Sequence, residues 1–283
     1  MSGLFPPHAQ RLADVLATHG LPIPVDQAFL LGSPLNFFYL RGPHLVPPHQ
    51  IAGLSATLVL AGLRRVGFQT APLAAEALEG VLVQAPATGS LPWQIAPERV
   101  GRPSGPPVWL IATRPEAIGR AGEQLADPAT QGWQALLPPA QPLAPLEALP
   151  RALADTAYAM MICSGAWQGI DGIEYFSEDL VRWELTPAWQ ESAASTAQTI
   201  AVSDGLWRRA YADALSHYEP AAVSAARWEA LADEWALLGE ELAEAARTGR
   251  AGGLGKLSRV VLRLAHQESR AWGWLIDTFG AGI

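Results

Sequence analysis

The side chains of this chain that could do chemistry are few. There is one cysteine, Cys163, and six histidines. Cys163 lies in AYAMMICSGAW, an apolar helical run where cysteine behaves as a small hydrophobe. A lone cysteine excludes a disulfide within the chain and argues against a thiolate zinc site. Ser33 sits in LLGSPL, and a serine on a Gly-Ser turn can be a nucleophile. The run reads Gly-Ser-Pro-Leu-Asn, however, without the full G-x-S-x-G elbow, which favours a turn-forming role. His44 and His49 are five apart in GPHLVPPHQ. With His8 or His19 they offer metal donors, but no carboxylate or cysteine is close in sequence, so they read as a solvated loop pair. No metal or cofactor is expected. His217 and His266 stand alone on expected helices, as structural or exposed residues. Two acidic groups complete the set. The charges of DEWALLGEELAEAA (233–246) fall on the outer side of a helix. Asp171, Glu174, Glu178 and Asp179 lie around Gly169 and Gly172, where a capping or domain-contact role is expected.

The elements that must position these residues divide into two textures. Ala9, Leu12, Ala13 and Leu16 recur at spacings of three and four, one face of a helix that Gly20 ends. FLLGSPLNFFYL (29–40) has a Gly-Ser-Pro break followed by an aromatic strand. Residues 50–66 read as a second helix, buried on most sides. AAEALEGVLVQAP reads as a helix end entering a strand, and PPVWLIA (106–112) as a short strand. Five prolines in 135–150 argue for an extended connector. Beyond it, 151–168, 188–217, 221–247 and 254–279 read as helices rich in alanine, leucine, tryptophan and glutamate. The expected organisation is α+β: a mixed domain over 1–137, a Pro-rich connector over 138–150 and a helical domain over 151–283. Most of the eleven tryptophans lie after residue 130, and pairs such as Trp228 and Trp235 suit packing between helices.

Bulk charge narrows the partners. The net charge is −8, with Lys256 the only lysine, so no basic face for nucleic acid is expected. The N-terminus MSGLFPPHAQ lacks the basic and apolar regions of a secretory signal. The longest apolar run, 51–63, is too short to cross a bilayer and is closed by Arg64 and Arg65. A cytoplasmic protein without membrane contact is expected.

Four motifs in order resemble the family of butirosin biosynthesis protein H. They are PPHAQRLADVLATHGL, LLGSPLNFFYL, WQGIDGIEYFSEDLVRW (167–183) and DGLWRRAYADALSHYEPA (204–221). The resemblance implies a papain-like, cysteine-protease-type α+β N-terminal domain followed by an all-helical domain. It also implies acyl transfer from a carrier-protein thioester to an amine. In that family a His-Cys pair opens the first helix; here it is His8-Ala9, so Ala9 holds the position of the nucleophile. The family's base histidine belongs on a later strand. PPVWLIA is the best match and has no histidine, and none occurs between His49 and His217. LADP resembles the family's Asp-Pro and places Asp127 in the third role. Loss of both nucleophile and base points to a catalytically degenerate relative that binds a small molecule, a carrier protein or a partner subunit. Ser33, Asn36, Phe37 and Tyr39 are the expected lining of its cleft, and a homodimer is expected to cover apolar helical surface. The alternative is an active acyltransferase or amidohydrolase whose cysteine Ala9 replaces.

Overall fold

A computed structural model describes residues 4–54, 58–72, 98–100, 108–112, 133–162 and 167–281. The protein is mixed α+β and mostly helical. It forms two compact units, Phe5–Ser33 with Ala56–Leu149, and Pro34–Ser55 with Pro150–Ile283 and Met1–Leu4. No helix among the described residues is long and apolar enough to cross a membrane.

The first unit begins with α1 (Pro7–Thr18), α2 (Val25–Leu31) and α3 (Leu58–Arg65). Pro7 at the first helical position of α1 needs no amide partner and has φ preset for a helix. The apolar stripe of α1, Ala9, Leu12, Val15 and Leu16, is fully buried. Gly62 on α3 lets that stripe approach, since a Cβ there would lie 2.4 Å from a Leu12 methyl. Its described residues also form β3 (Gln69–Pro72), β4 (Glu98–Val100), β5 (Val108–Ala112) and β6 (Trp133–Leu137). They make an antiparallel sheet in the order β3-β6-β5-β4.

Among its described residues the second unit holds a hairpin and six α-helices. The hairpin pairs β1 (Leu35–Arg41) with β2 (His49–Leu54), Arg41 opposite His49. Leu35, Phe37 and Tyr39 alternate inward along β1. The helices are α4 (Pro145–Met161, entering this unit at Pro150), α5 (Gly169–Leu180), α6 (Trp189–Val202), α7 (Arg208–Ser216), α8 (Ala225–Thr248) and α9 (Leu254–Phe279).

Several expected elements differ. The 50–66 run is a strand and a helix, β2 and α3, because a short apolar run has no period that separates the two. Pairing with β1 and the seating of Gly53 against Leu206 hold its first half extended. The proline-rich segment is coil only over 138–144; β6 precedes it, and α4 starts at Pro145 and carries Pro150 in its first turns. The expected helix 188–217 is broken at 203–207, where Asp204, Gly205, Leu206 and Trp207 all have positive φ. A Cβ on Gly205 would meet the Ala232 carbonyl at 2.6 Å, so only glycine fits. The break places Leu206 in the core and aims Arg208 inward.

Arg208 and Glu268 are both completely buried. Arg208 Nε and Nη2 donate to the two Glu268 oxygens at 2.9 and 2.8 Å. Trp235 Nε1 donates to the same carboxylate at 2.7 Å and Trp272 Nε1 at 3.3 Å. The third guanidinium nitrogen donates to the Leu206 carbonyl at 2.9 Å. Four N–H donors from α7, α8 and α9 therefore converge on one carboxylate, and the guanidinium lies 5.8 Å from the Trp235 ring. Truncating either partner leaves a buried, unpaired charge. Glu268→Ala is expected to lower the unfolding free energy by about 3–5 kcal/mol. It should appear as a fall in the urea midpoint at unchanged slope. The exposed control Glu229→Ala should shift it by no more than about 0.5 kcal/mol. A Glu268→Ala midpoint equal to the control's would contradict this role.

Candidate functional site

The N-terminus of α1 is where the expected nucleophile position lies. Pro6 caps the helix with no side-chain hydrogen bond, and the first turn has no acidic residue. Ala9 is the third helical residue and is 0% exposed. Its amide N–H donates to the Pro6 carbonyl at 2.9 Å. His8, beside it, is half-buried. A buried methyl has no reactive atom, and an amide already spent on Pro6 offers no ready donor to a developing oxyanion. Asp127 and Cys163 lie outside the described residues. The strand β5, where the resemblance implies a base, reads Val108–Ala112 without a histidine.

The other expected cleft residues are placed differently. Ser33 has φ +49° and makes the turn between α2 and β1, as its Gly-Ser-Pro setting suggests. Asn36 is half-buried; its Oδ1 accepts from the Phe37 amide at 2.7 Å, and its carbonyl lies 3.5 Å from Arg208 Nη1. Phe37 lines no cleft. It is wholly buried, with its ring 5.7 Å from Trp235 and 6.2 Å from Phe176. Its inward position on β1 makes it core.

Tyr39 enters a second buried polar cluster. Its hydroxyl donates to Asp179 Oδ2 at 2.5 Å and accepts from Trp183 Nε1 at 3.0 Å. His49 Nδ1 lies 2.8 Å from the Tyr39 oxygen and 3.3 Å from Asp179 Oδ2. The phenol has a single proton, already given to Asp179, so His49 must donate from Nδ1. Asp179 Oδ1 accepts from Arg41 Nη1 at 2.8 Å. The Arg41 side chain is half exposed, whereas that of Asp179 is 2% exposed. His49 is therefore not one of a solvated loop pair. Residue 49 begins β2 and points inward, while His44 is exposed. Of the capping or contact role expected for this group, Asp179 takes the contact. It fastens α5 to the hairpin, while Asp171 and Glu178 stay exposed.

The electrostatics of this cluster favour rigidity. Burial, reinforced by the bond to Asp179, raises the Tyr39 pKa and keeps the phenol protonated. Asp179 raises that of Arg41. Burial lowers the His49 pKa, against the attraction of Asp179. The site thus holds one neutralised ion pair, one neutral phenol and one neutral imidazole. Its polar atoms are spent on one another around Asp179, whose side chain is 2% exposed. Among the described residues no three His, Cys, Asp or Glu side chains are placed to hold a metal ion.

Two features escaped sequence reading. Tyr39, His49 and Asp179 are 10 and 140 residues apart in the pairs that bond, and no local pattern joins them. The Arg208–Glu268 cluster left a trace. Glu268 falls on the buried stripe of α9 with Leu257, Val261, Leu264, Ala265 and Leu275. A charge at an apolar-stripe position marks a buried, paired carboxylate.

Compared with known families and curated proteins, the chain matches no family model and no curated sequence.

The lowered His49 pKa fixes a pH dependence. The unfolded chain takes up this proton more readily than the folded one, so the contribution is fully present above the ordinary value of 6.5. It is lost as pH falls from there through the lower folded value. Thermal unfolding of the unchanged protein and of His49→Gln, compared from pH 8 to pH 5, should show the parent losing more stability on acidification. Parallel curves would contradict a neutral, buried His49.

Proposed function

We propose that this chain is a catalytically inert relative of the papain-like acyltransferases that its motifs resemble. It acts by binding a small molecule, a carrier protein or a partner subunit rather than by making bonds. The observation that carries this reading is Ala9, a fully buried methyl at the nucleophile position with its amide spent on Pro6. Acyl transfer by this route needs a nucleophile, a base and donors for the oxyanion. At α1, position 9 supplies no nucleophile, and its amide is already bonded to Pro6. Support for the papain-like part of the reading comes from a helix opened by Pro7-His8, followed in the same unit by an antiparallel sheet whose β5 lacks the base. A cytoplasmic setting belongs to the same reading.

A second reading, an active enzyme whose cysteine Ala9 replaces, draws on one observation. The first turn of α1 has no acidic side chain, so the positive end of the helix dipole is uncompensated, as a thiolate would require. Ala9→Cys separates the two. The unchanged and substituted proteins are incubated with an acyl thioester and read by intact mass. The inert reading expects no acyl adduct on either protein at pH 7–8. An adduct on Ala9→Cys that passes to an added amine would overturn it in favour of the second.

A further inference from the structure

Within the helical unit, α6 and α8 run side by side and leave a groove of about 740 Å³ between them. Its walls are mostly alanine and glycine, among them Ala194, Ala197, Ala201, Ala236, Gly239 and Ala243. Gly239 seats Ile200 so closely that a Cβ there would lie 3.0 Å from it. Side chains this small let a third helix come near. The rim is acidic: Glu191, Asp204 and Glu240 are exposed along it. The groove's Arg247 is held by Glu244 at 2.7 Å, and Asp204 is paired with Arg209. Glu191 and Glu240 have no cation partner among the described residues.

The complementary surface is on the same chain. Lys256, Arg259, Arg263, His266 and Arg270 recur at alternating spacings of three and four along α9, so they share one exposed face. Lys256 and Arg263 reach back to Glu241 and Glu234 of α8. Arg259 and Arg270 have no carboxylate partner among the described residues. Leu262, 39% exposed, stands beside the stripe. From Lys256 to Arg270 the stripe is roughly 21 Å long, at 1.5 Å per residue. The groove follows α6 from Gln190 to Ala201, roughly 17 Å on the same scale, and reaches the break at Asp204.

We propose that two copies of this chain pair reciprocally, the α9 stripe of each lying in the acidic α6–α8 groove of the other. The interface is isologous, because each copy carries both halves. Charge selects the partner, and the small-residue walls set the approach. This is independent of the reading of Ala9, since it rests on residues of the helical unit alone.

The test is a charge exchange followed by sedimentation velocity. Glu240→Arg and Arg259→Glu are both at exposed positions, and circular dichroism confirms their folding. The unchanged protein is expected to be a dimer that weakens as salt rises. Each single variant should dissociate at least about tenfold more readily. An equimolar mixture of the two should recover the dimer, because the exchanged charges then face each other. Glu191→Arg mixed with Arg270→Glu repeats the test at another point of the groove. An unchanged protein that is monomeric at 100 µM, single variants that stay dimeric, or mixtures that do not recover would each overturn the proposal.

Discussion

The Glu268 carboxylate is the constraint around which the helical unit is arranged. A buried carboxylate is tolerated only when its oxygens are fully supplied with donors. Here those donors come from three helices: Arg208 on α7, Trp235 on α8 and Trp272 on α9. Each helix must therefore hold one rotation and one axial position, because sliding by a single residue would strip a donor from a charge that water cannot reach. The left-handed break at 203–207 follows from the same demand, since it lets α7 start where the guanidinium meets the carboxylate. So does part of the tryptophan content. Trp235 and Trp272 combine a large apolar body with one N–H, which suits a place that is apolar everywhere except at a carboxylate.

The Tyr39 cluster applies the same logic to the hairpin. Asp179 on α5 accepts hydrogen bonds from the Tyr39 hydroxyl on β1 and from the Arg41 guanidinium, while His49 from β2 closes the group. A hairpin from the N-terminal part of the chain is thereby fastened to helices that follow residue 150. Both polar clusters are committed to structure, and neither offers an unshielded nucleophile or base.

How much of this was legible in the sequence depended on distance along the chain. The α1 stripe, the Gly-Ser-Pro turn at Ser33, strand β5, the last two helices and the outward face of 233–246 were readable, because each is set by a period or a punctuating residue within a few positions. The 50–66 run was misread because its apolar residues satisfy strand and helix alike, and only pairing with β1 decides. The inward faces of Phe37 and Tyr39 were hidden for a related reason. Aromatic residues in a strand suit a cleft or a core equally, and the neighbours that make them core come from α5 and α8. His49 looked solvated among prolines, because its partners Tyr39 and Asp179 are brought in only by the hairpin and the helix. Ala9, by contrast, is legible from one letter, a methyl where the resemblance implies a thiol.

The most direct test of a binding rather than bond-making role is the release of free thiol from an acyl thioester by the unchanged protein, with an amine acceptor present. Release should equal the spontaneous rate at every protein concentration. Release that scales with protein and saturates with thioester would contradict it, and would require a nucleophile other than Ala9.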